Sequence, residues 1–392
     1  MDIKINKNNL ALQFIILMGL VSLFGDIVYE GARGITGPYL YLLGAGAGIV
    51  GLITGLGEFL GYALRLPFGF IADRRKAYWG LAVLGYSLIL AIPLLALAGN
   101  WQIAMFLILL ERLGKAIRAP ARDTLLSSAT KRVGRGFGFG IHEAMDQIGA
   151  VIGPGLFALV FLLKGSYRQG FVLLWIPALL MLVFLLIAKN KVSLPQKLED
   201  DTKEADRNLP PEFWSYILFI FFAVSGLVSF PLIAYHFKVK GIFSDAYIPV
   251  LYALAMLSDA LFALIIGKTY DKIGMRIFII IPLVTFFIPL LCFSQSQILA
   301  LGGVILWGMV MANHETVMRA GIADLVSVSH RGFAYGIFNT IYGIGWFLAS
   351  SVMGFLYGIS LIYLILFSII MSVISLLLGL TLDLFKRMHP IS

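Results

Sequence analysis

Long apolar runs separated by short polar gaps dominate this chain. Twelve of them fall near 11–42, 46–68, 78–97, 101–123, 136–163, 169–188, 213–237, 246–266, 277–295, 299–322, 334–358 and 360–383. Each is long enough to cross roughly 30 Å of hydrocarbon as a helix. The pattern predicts an all-α membrane protein of twelve transmembrane helices, with no room in 392 residues for a separate soluble domain. One long polar stretch interrupts it at 189–212, where Glu199, Asp200, Asp201, Lys203, Glu204, Asp206 and Arg207 precede Pro210 and Pro211. Mixed charge followed by a proline pair reads as a linker. The expected organisation is therefore a six-helix bundle at 1–188, a cytoplasmic linker at 189–212 and a second six-helix bundle at 213–392.

The two bundles share sequence. Gly69-Phe-Ile-Ala-Asp73-Arg74-Arg75-Lys76 lies in the gap after the second run, and Gly267-Lys-Thr-Tyr-Asp271-Lys272-Ile-Gly274-Met-Arg276 lies after the eighth, 198 residues later. Arg135-Gly-Phe-Gly-Phe-Gly-Ile141 is answered by Arg331-Gly-Phe-Ala-Tyr-Gly-Ile337 at an offset of 196. Two matches at nearly one offset mean an internal duplication, so the bundles should be pseudo-symmetric. Glycines inside the runs (Gly31, Gly34, Gly37, Gly149, Gly153, Gly155, Gly343, Gly345) let helix backbones approach closely in lipid. Pro38 and Pro154 mark expected kinks.

With 60% hydrophobic and 13% charged residues, the composition excludes an ordinary soluble domain. The net charge of +9 could suggest nucleic acid, but its placement gives another meaning. Lys4, Lys7, Arg74, Arg75, Lys76, Lys131, Arg132, Lys272, Arg276, Arg331, Lys386 and Arg387 share one side if both termini are cytoplasmic, whereas the opposite loops hold few positives. That bias predicts a multi-pass protein of the cytoplasmic membrane with both termini and the linker inside. Cys292 is the single cysteine, so neither an intrachain disulfide nor a thiolate metal site is expected. The first run is long and lacks a small-residue cleavage site, so it is expected to stay in the mature protein.

These motifs resemble those of the major facilitator superfamily, over essentially the whole chain. Gly69–Lys76 and Gly267–Arg276 are similar to its cytoplasmic loop signature, the first copy carrying Lys76 where the signature has glycine. Arg112-Leu-Gly-Lys-Ala-Ile-Arg118-Ala-Pro120-Ala-Arg122-Asp123 resembles the span 4 motif built around an intramembrane arginine. Gly149-Ala-Val-Ile-Gly153-Pro154-Gly155 resembles part of the span 5 motif associated with antiporters. The resemblance implies a secondary transporter, and the span 5 motif favours export. In the loop signature, Gly69, Asp73, Arg74, Gly267, Asp271, Lys272 and Arg276 are the candidate gate. The acids sit where a helix leaves the bilayer and could face the positive end of a neighbouring helix.

Charges inside the runs are costly, about 2.5–3.5 kcal/mol each near the bilayer centre, so they should face a cavity and have partners. Asp26, Glu30 and Arg33 share one face of span 1, and Glu58 and Arg65 align on span 2. Span 4 carries Glu111, Arg112, Lys115, Arg118 and Arg122, and span 5 carries His142, Glu143 and Asp146. The expected proton-coupling set is Asp26, Glu30, Arg112, Glu143 and Asp146. Treating spans 4 and 5 as antiparallel, Arg112 pairs with Asp146 and Lys115 with Glu143 on one register. By the 196 offset, His142, Glu143, Asp146 and Ala150 correspond to Phe338, Asn339, Tyr342 and Trp346. An ionisable half thus faces an aromatic-polar half. The expected substrate surface comprises Arg33, Lys115, His142, Asn313, Phe338, Asn339, Tyr342 and Trp346, with Tyr235, Tyr252, Trp307 and Thr316 as additions.

His142-Glu143-x-x-Asp146 also admits a metal reading, completed by His314-Glu315 or His236. It lacks the second histidine of the zinc-hydrolase pattern. No phosphate-binding Gly-x4-Gly-Lys-Ser/Thr loop occurs, so ATP is not the expected energy source, and no cofactor or resident metal is implied. The expectation is a monomeric, non-enzymatic transporter that exports a small organic molecule in exchange for protons by alternating access. The alternatives are uptake of an anionic solute, divalent metal export, or, from another class, a non-transporting receptor or an intramembrane enzyme.

Overall fold

The computed structural model describes residues 7–191, 209–327 and 330–381. The sequence therefore folds, in order, into α1 (Lys7–Arg33), α2 (Thr36–Leu42), α3 (Ala47–Ala63), α4 (Arg65–Arg75), α5 (Tyr78–Ser87), α6 (Trp101–Val133), α7 (Arg135–Leu162), α8 (Tyr167–Leu173) and α9 (Trp175–Lys191). Beyond the linker follow α10 (Pro211–Gly226), α11 (Phe230–Val239), α12 (Tyr247–Ile273), α13 (Ile280–Cys292), α14 (Gln297–Glu315), α15 (Val317–Leu325), α16 (Arg331–Ile359) and α17 (Leu361–Thr381). Short 3-10 turns at Leu88–Ala91, Pro93–Leu97 and Gly274–Ile279 fill gaps between them. No strand occurs among the described residues. Most of the linker lies outside the described residues.

Ten stretches among the described residues are long and apolar enough to cross a membrane. The shortfall from the twelve runs has two sources. The helix α6 bears Glu111, Arg112, Lys115, Arg118, Arg122 and Asp123, too many charges for an apolar span. Tyr247–Cys292, at 46 residues, contains both the eighth and ninth runs.

Several runs are broken where a proline forbids a continuous helix, the first and the seventh among them. The Pro38 ring would collide with the carbonyl of Gly34, and α1 ends at Arg33. The Pro231 ring would collide with that of Leu227, and α10 ends at Gly226. Two carbonyls at the second break find side-chain donors. Ser368 donates its hydroxyl to the Gly226 oxygen, and Trp307 Nε1 donates to Val228 O at 2.8 Å. That satisfaction is what permits unwound backbone at membrane depth. Pro154, by contrast, sits inside an unbroken α7.

Two compact units emerge: 1–33 with 64–201, and 34–63 with 202–392. In the first, α1 packs along α7 through glycine, and a Cβ on Gly153 would lie 2.7 Å from Gly31 N. In the second, α3 packs along α16 in the same manner. A Cβ on Gly55 would lie 2.8 Å from Phe347 O, and one on Gly354 would lie 2.6 Å from Ala47 O. Small residues replace a hydrophobic driving force at such crossings, since lipid tails are as apolar as leucine.

Candidate functional site

The first unit concentrates charge in its interior. Asp26 and Glu30 are buried on α1, and Glu30 holds Arg33 at 3.1 Å. On α6 the centre of the network is Glu111, 1% exposed, which faces Arg112 at 3.6 Å and Arg118 at 3.2 Å. Lys115 Nζ and Arg118 Cζ lie over the ring of Tyr29 at 5.5 and 5.3 Å, and Arg118 also lies 5.5 Å from the ring of Tyr86. On α7, His142 Nδ1 stands 3.4 Å from Asp146, and Gln147 donates to Glu143 at 3.3 Å. Glu143 points out to the exposed side of α7 while His142 is buried.

The register of α6 on α7 differs from the one expected. The chain turns at Gly134, whose φ of 101° suits glycine. Residues equally distant from that turn lie at equal depth. Arg122 and Asp146 are each twelve residues from Gly134, whereas Arg112 is twenty-two residues away. The pairing of Arg112 with Asp146 and of Lys115 with Glu143 is therefore replaced by Arg122 opposite Asp146. The cause is helix length. Hydropathy ends span 4 near 123, but α6 continues as helix to Val133.

The second unit presents rings on the corresponding surface, with the buried Glu58 of α3 and the half-buried Glu315 of α14 as the charges that act on Tyr342. Phe338, Tyr342 and Trp346 follow one face of α16, all buried, with centroid separations of 5.6 and 6.4 Å. Tyr62 of α3 packs edge-on to Tyr342 at 4.7 Å. His314 Nδ1 lies 3.3 Å from the Tyr342 hydroxyl, and its Nε2 is buried with no hydrogen-bond partner. Asn313 donates its amide nitrogen to Met309 O at 3.1 Å, which fixes the amide and leaves Oδ1 as a buried, unused acceptor. Asn339 is only half-buried. Tyr235 is buried further along, edge-on to Tyr41 and Tyr357, while Tyr252 and Trp307 surround Phe230 at the break before α11.

The loop signature lies on helix ends rather than in a gap. Gly69, Asp73 and Arg74 belong to α4, and Gly267, Asp271 and Lys272 belong to α12. Asp73 accepts from the Tyr78 hydroxyl at 3.0 Å, and Arg74 lies 6.0 Å from the ring of Phe70. Asp271, Lys272 and Arg276 are exposed. Beside them Tyr270 donates to Asp324, and Arg331 donates to Ala323 O at 2.7 Å, closing the end of α15.

Among the described residues no group of three His, Cys, Asp or Glu side chains gathers to hold a metal ion. His236 is instead bonded to Tyr357 at 2.8 Å, and Cys292 is free and buried. Sequence reasoning left out Tyr29, Tyr86 and Tyr62, and did not give Glu111 its central role. An aromatic residue in an apolar run carries no local signal that a cation from another helix will rest on it.

A family model described as Major Facilitator Superfamily matches residues 14–256 and 213–390. The uncharacterized protein Rv2265 of Mycobacterium tuberculosis is 38% identical over 360 residues, covering 90% of this chain and 88% of that protein. An uncharacterized MFS-type transporter, MJ1317 of Methanocaldococcus jannaschii, is 30% identical over 387 residues, covering 95% of this chain and 96% of that protein. Among solved structures, the nucleoside transporter NupG superposes with a TM-score of 0.72 at 14% identity, covering 96% of this chain and all (100%) of the other. A POT family transporter in complex with 5-aminolevulinic acid gives 0.72 at 15% identity, covering 95% and 96% respectively.

Proposed function

The chain belongs to the Major Facilitator Superfamily, and as such is a multi-pass secondary transporter of a small molecule; from that premise we propose that it couples proton entry to export of a small organic molecule. In this reading Asp26 and Asp146 take the proton in the first unit. The aromatic-polar surface of Asn313, Phe338, Tyr342 and Trp346 in the second unit holds the substrate. Alternating access carries both across the cytoplasmic membrane, with both termini inside and the loop-signature residues as the gate.

One observation supports this division above others. The same helix position in the two repeats carries a buried His142 with Asp146 in one copy and buried Phe338 with Tyr342 in the other. Ionisable groups are kept in a membrane interior at a cost, and proton relays are a principal use for them. Uptake of an anion by the cationic face of α6 is supported less well, because Glu111 stands between Arg112 and Arg118. The two solved transporters bind a nucleoside and 5-aminolevulinic acid by name, which fits a small organic substrate as a class.

Flux in proteoliposomes tests the proposal. A panel of small organic solutes is loaded on the cytoplasmic side with and without an inward proton gradient. Solute export accelerated by the gradient, and made indifferent to it by Asp26→Asn or Asp146→Asn, is the expected result. Flux that ignores the gradient in the wild type would remove the coupling half of the reading.

A further inference from the structure

Four rings stand around Tyr342 of α16 in the second unit: Tyr62, Phe338, Trp346 and His314, at centroid separations of 4.7, 5.6, 6.4 and 5.8 Å. The Tyr342 hydroxyl has two hydrogen-bond partners among them. One is the side chain of Trp346, one turn further on and edge-on to it, and the other is His314 Nδ1 at 3.3 Å. An indole N–H can only donate, so the Tyr342 oxygen accepts from Trp346. The hydroxyl proton is then given to His314 Nδ1. A neutral imidazole that accepts at Nδ1 carries its hydrogen on Nε2. The chain from Trp346 through Tyr342 to His314 thus has a direction, and it fixes the histidine tautomer.

That chain ends in a donor. His314 is 2% exposed, and its Nε2 is buried with no hydrogen-bond partner in the protein. A buried N–H of this kind calls for an acceptor from outside the chain. A metal ion does not answer, because a protonated nitrogen is no ligand. The charges nearby narrow the acceptor further. Glu315 directly follows His314, Glu58 lies one turn before Tyr62 on α3, and both act on the Tyr342 hydroxyl. Every described lysine and arginine of the second unit is half-buried or exposed. An anionic acceptor is repelled in such a place and a neutral one is not. The surrounding rings favour a flat partner with a π-face of its own.

We propose that His314 sets substrate specificity by donating Nε2–H to a ring nitrogen or aryl carbonyl of a flat, uncharged aromatic solute, with Trp346 and Tyr342 holding it in donor form. This rests on the reading of the second unit as the substrate half, and narrows the solute from a small organic molecule to that class.

Two measurements on the full chain test it. Solid-state nitrogen NMR of histidine-labelled protein in bilayers reads the tautomer, with the His314 signals identified by their loss in His314→Phe. Imidazole protonated at Nε2 alone is expected, and Tyr342→Phe should release it to a mixture of tautomers. A wild-type His314 protonated at Nδ1 would overturn the proposal. The second measurement is equilibrium dialysis, corrected with protein-free micelles, of quinoline, naphthalene and 2-naphthoate. These probes share a flat double ring and carry a neutral nitrogen, no acceptor and a carboxylate respectively. The wild type should prefer quinoline to both others by about five- to tenfold, the worth of one hydrogen bond. His314→Phe should abolish the preference. Tyr342→Phe, which keeps the ring, should reduce it, and serves if His314→Phe does not fold. Equal binding of the three probes, binding of none, or a preference that survives the variants overturns the proposal. Neither flux nor a proton gradient enters these measurements. No preference for quinoline, with gradient-driven export of other solutes intact, would refute the solute class and leave the transport reading standing. A clear preference in a protein whose flux ignores the gradient would support the class and refute proton coupling.

Discussion

Lys76 and Gly274 close the same turn in the two copies of the loop signature, through different backbones. Lys76 has φ 50° and ψ 30°, the left-handed helical region, whereas Gly274 has φ 61° and ψ −145°. The first conformation costs an ordinary L-residue about 1–2 kcal/mol. The second lies close to a region that essentially only glycine occupies. A lysine can therefore stand where the superfamily signature has glycine, because the first copy needs only the milder turn.

Gly274→Ala should lower stability by about 1–3 kcal/mol. Lys76→Gly should be neutral or stabilising by up to about 1 kcal/mol, since relief of strain is partly offset by a more flexible unfolded chain. Thermal unfolding in detergent compares them, and a Gly274→Ala protein melting with the wild type would contradict the backbone argument.

The seam between α3 and α16 should be intolerant of bulk. Gly55→Val places carbon where Phe347 O already lies 2.8 Å away, and should cost about 1–3 kcal/mol by overpacking. Gly302→Ala, whose Cβ meets nothing within 4 Å, should stay within about 0.5 kcal/mol of wild type. Equal melting of the two variants would show that the close backbone approach contributes nothing.

Glu111 should be the most sensitive acid of the first unit. Glu111→Gln removes a buried charge from between two arginines and should cost about 3–5 kcal/mol. Replacing Glu111 and Arg118 together by methionine should recover part of that loss, because one of the two arginines that lose Glu111 is removed with it while Arg112 keeps its charge. A double variant less stable than Glu111→Gln would count against this account of the network.

Asn313→Ala and Tyr342→Phe should raise KM several-fold in proteoliposome flux and change turnover little, if these residues hold substrate. The first removes the unused acceptor, and the second removes the hydroxyl that orients His314. Loss of turnover at unchanged KM would place them in the conformational step instead.

Tags at both termini should resist an impermeant label added outside intact cells, because positive residues flank those segments. Labelling from outside would reverse the orientation.

Hydropathy and periodicity alone determined the class of this protein, because both are local properties. An apolar run must cross lipid wherever it sits, and a polar stripe at helical spacing must share a face. The duplication, the charged interior of spans 1, 4 and 5, and the aromatic face of Phe338, Tyr342 and Trp346 were legible for that reason. What lay beyond reach was which stripe meets which. Hydropathy reports where a helix leaves the bilayer, not where it ends, and the extension of α6 to Val133 moved the arginine at the depth of Asp146 from Arg112 to Arg122. Likewise only packing brought Asp26 of α1 against Gly149 of α7. The contact is set by glycines on α1 and α7, more than a hundred residues apart in the chain, whose missing side chains let the two backbones touch at one register.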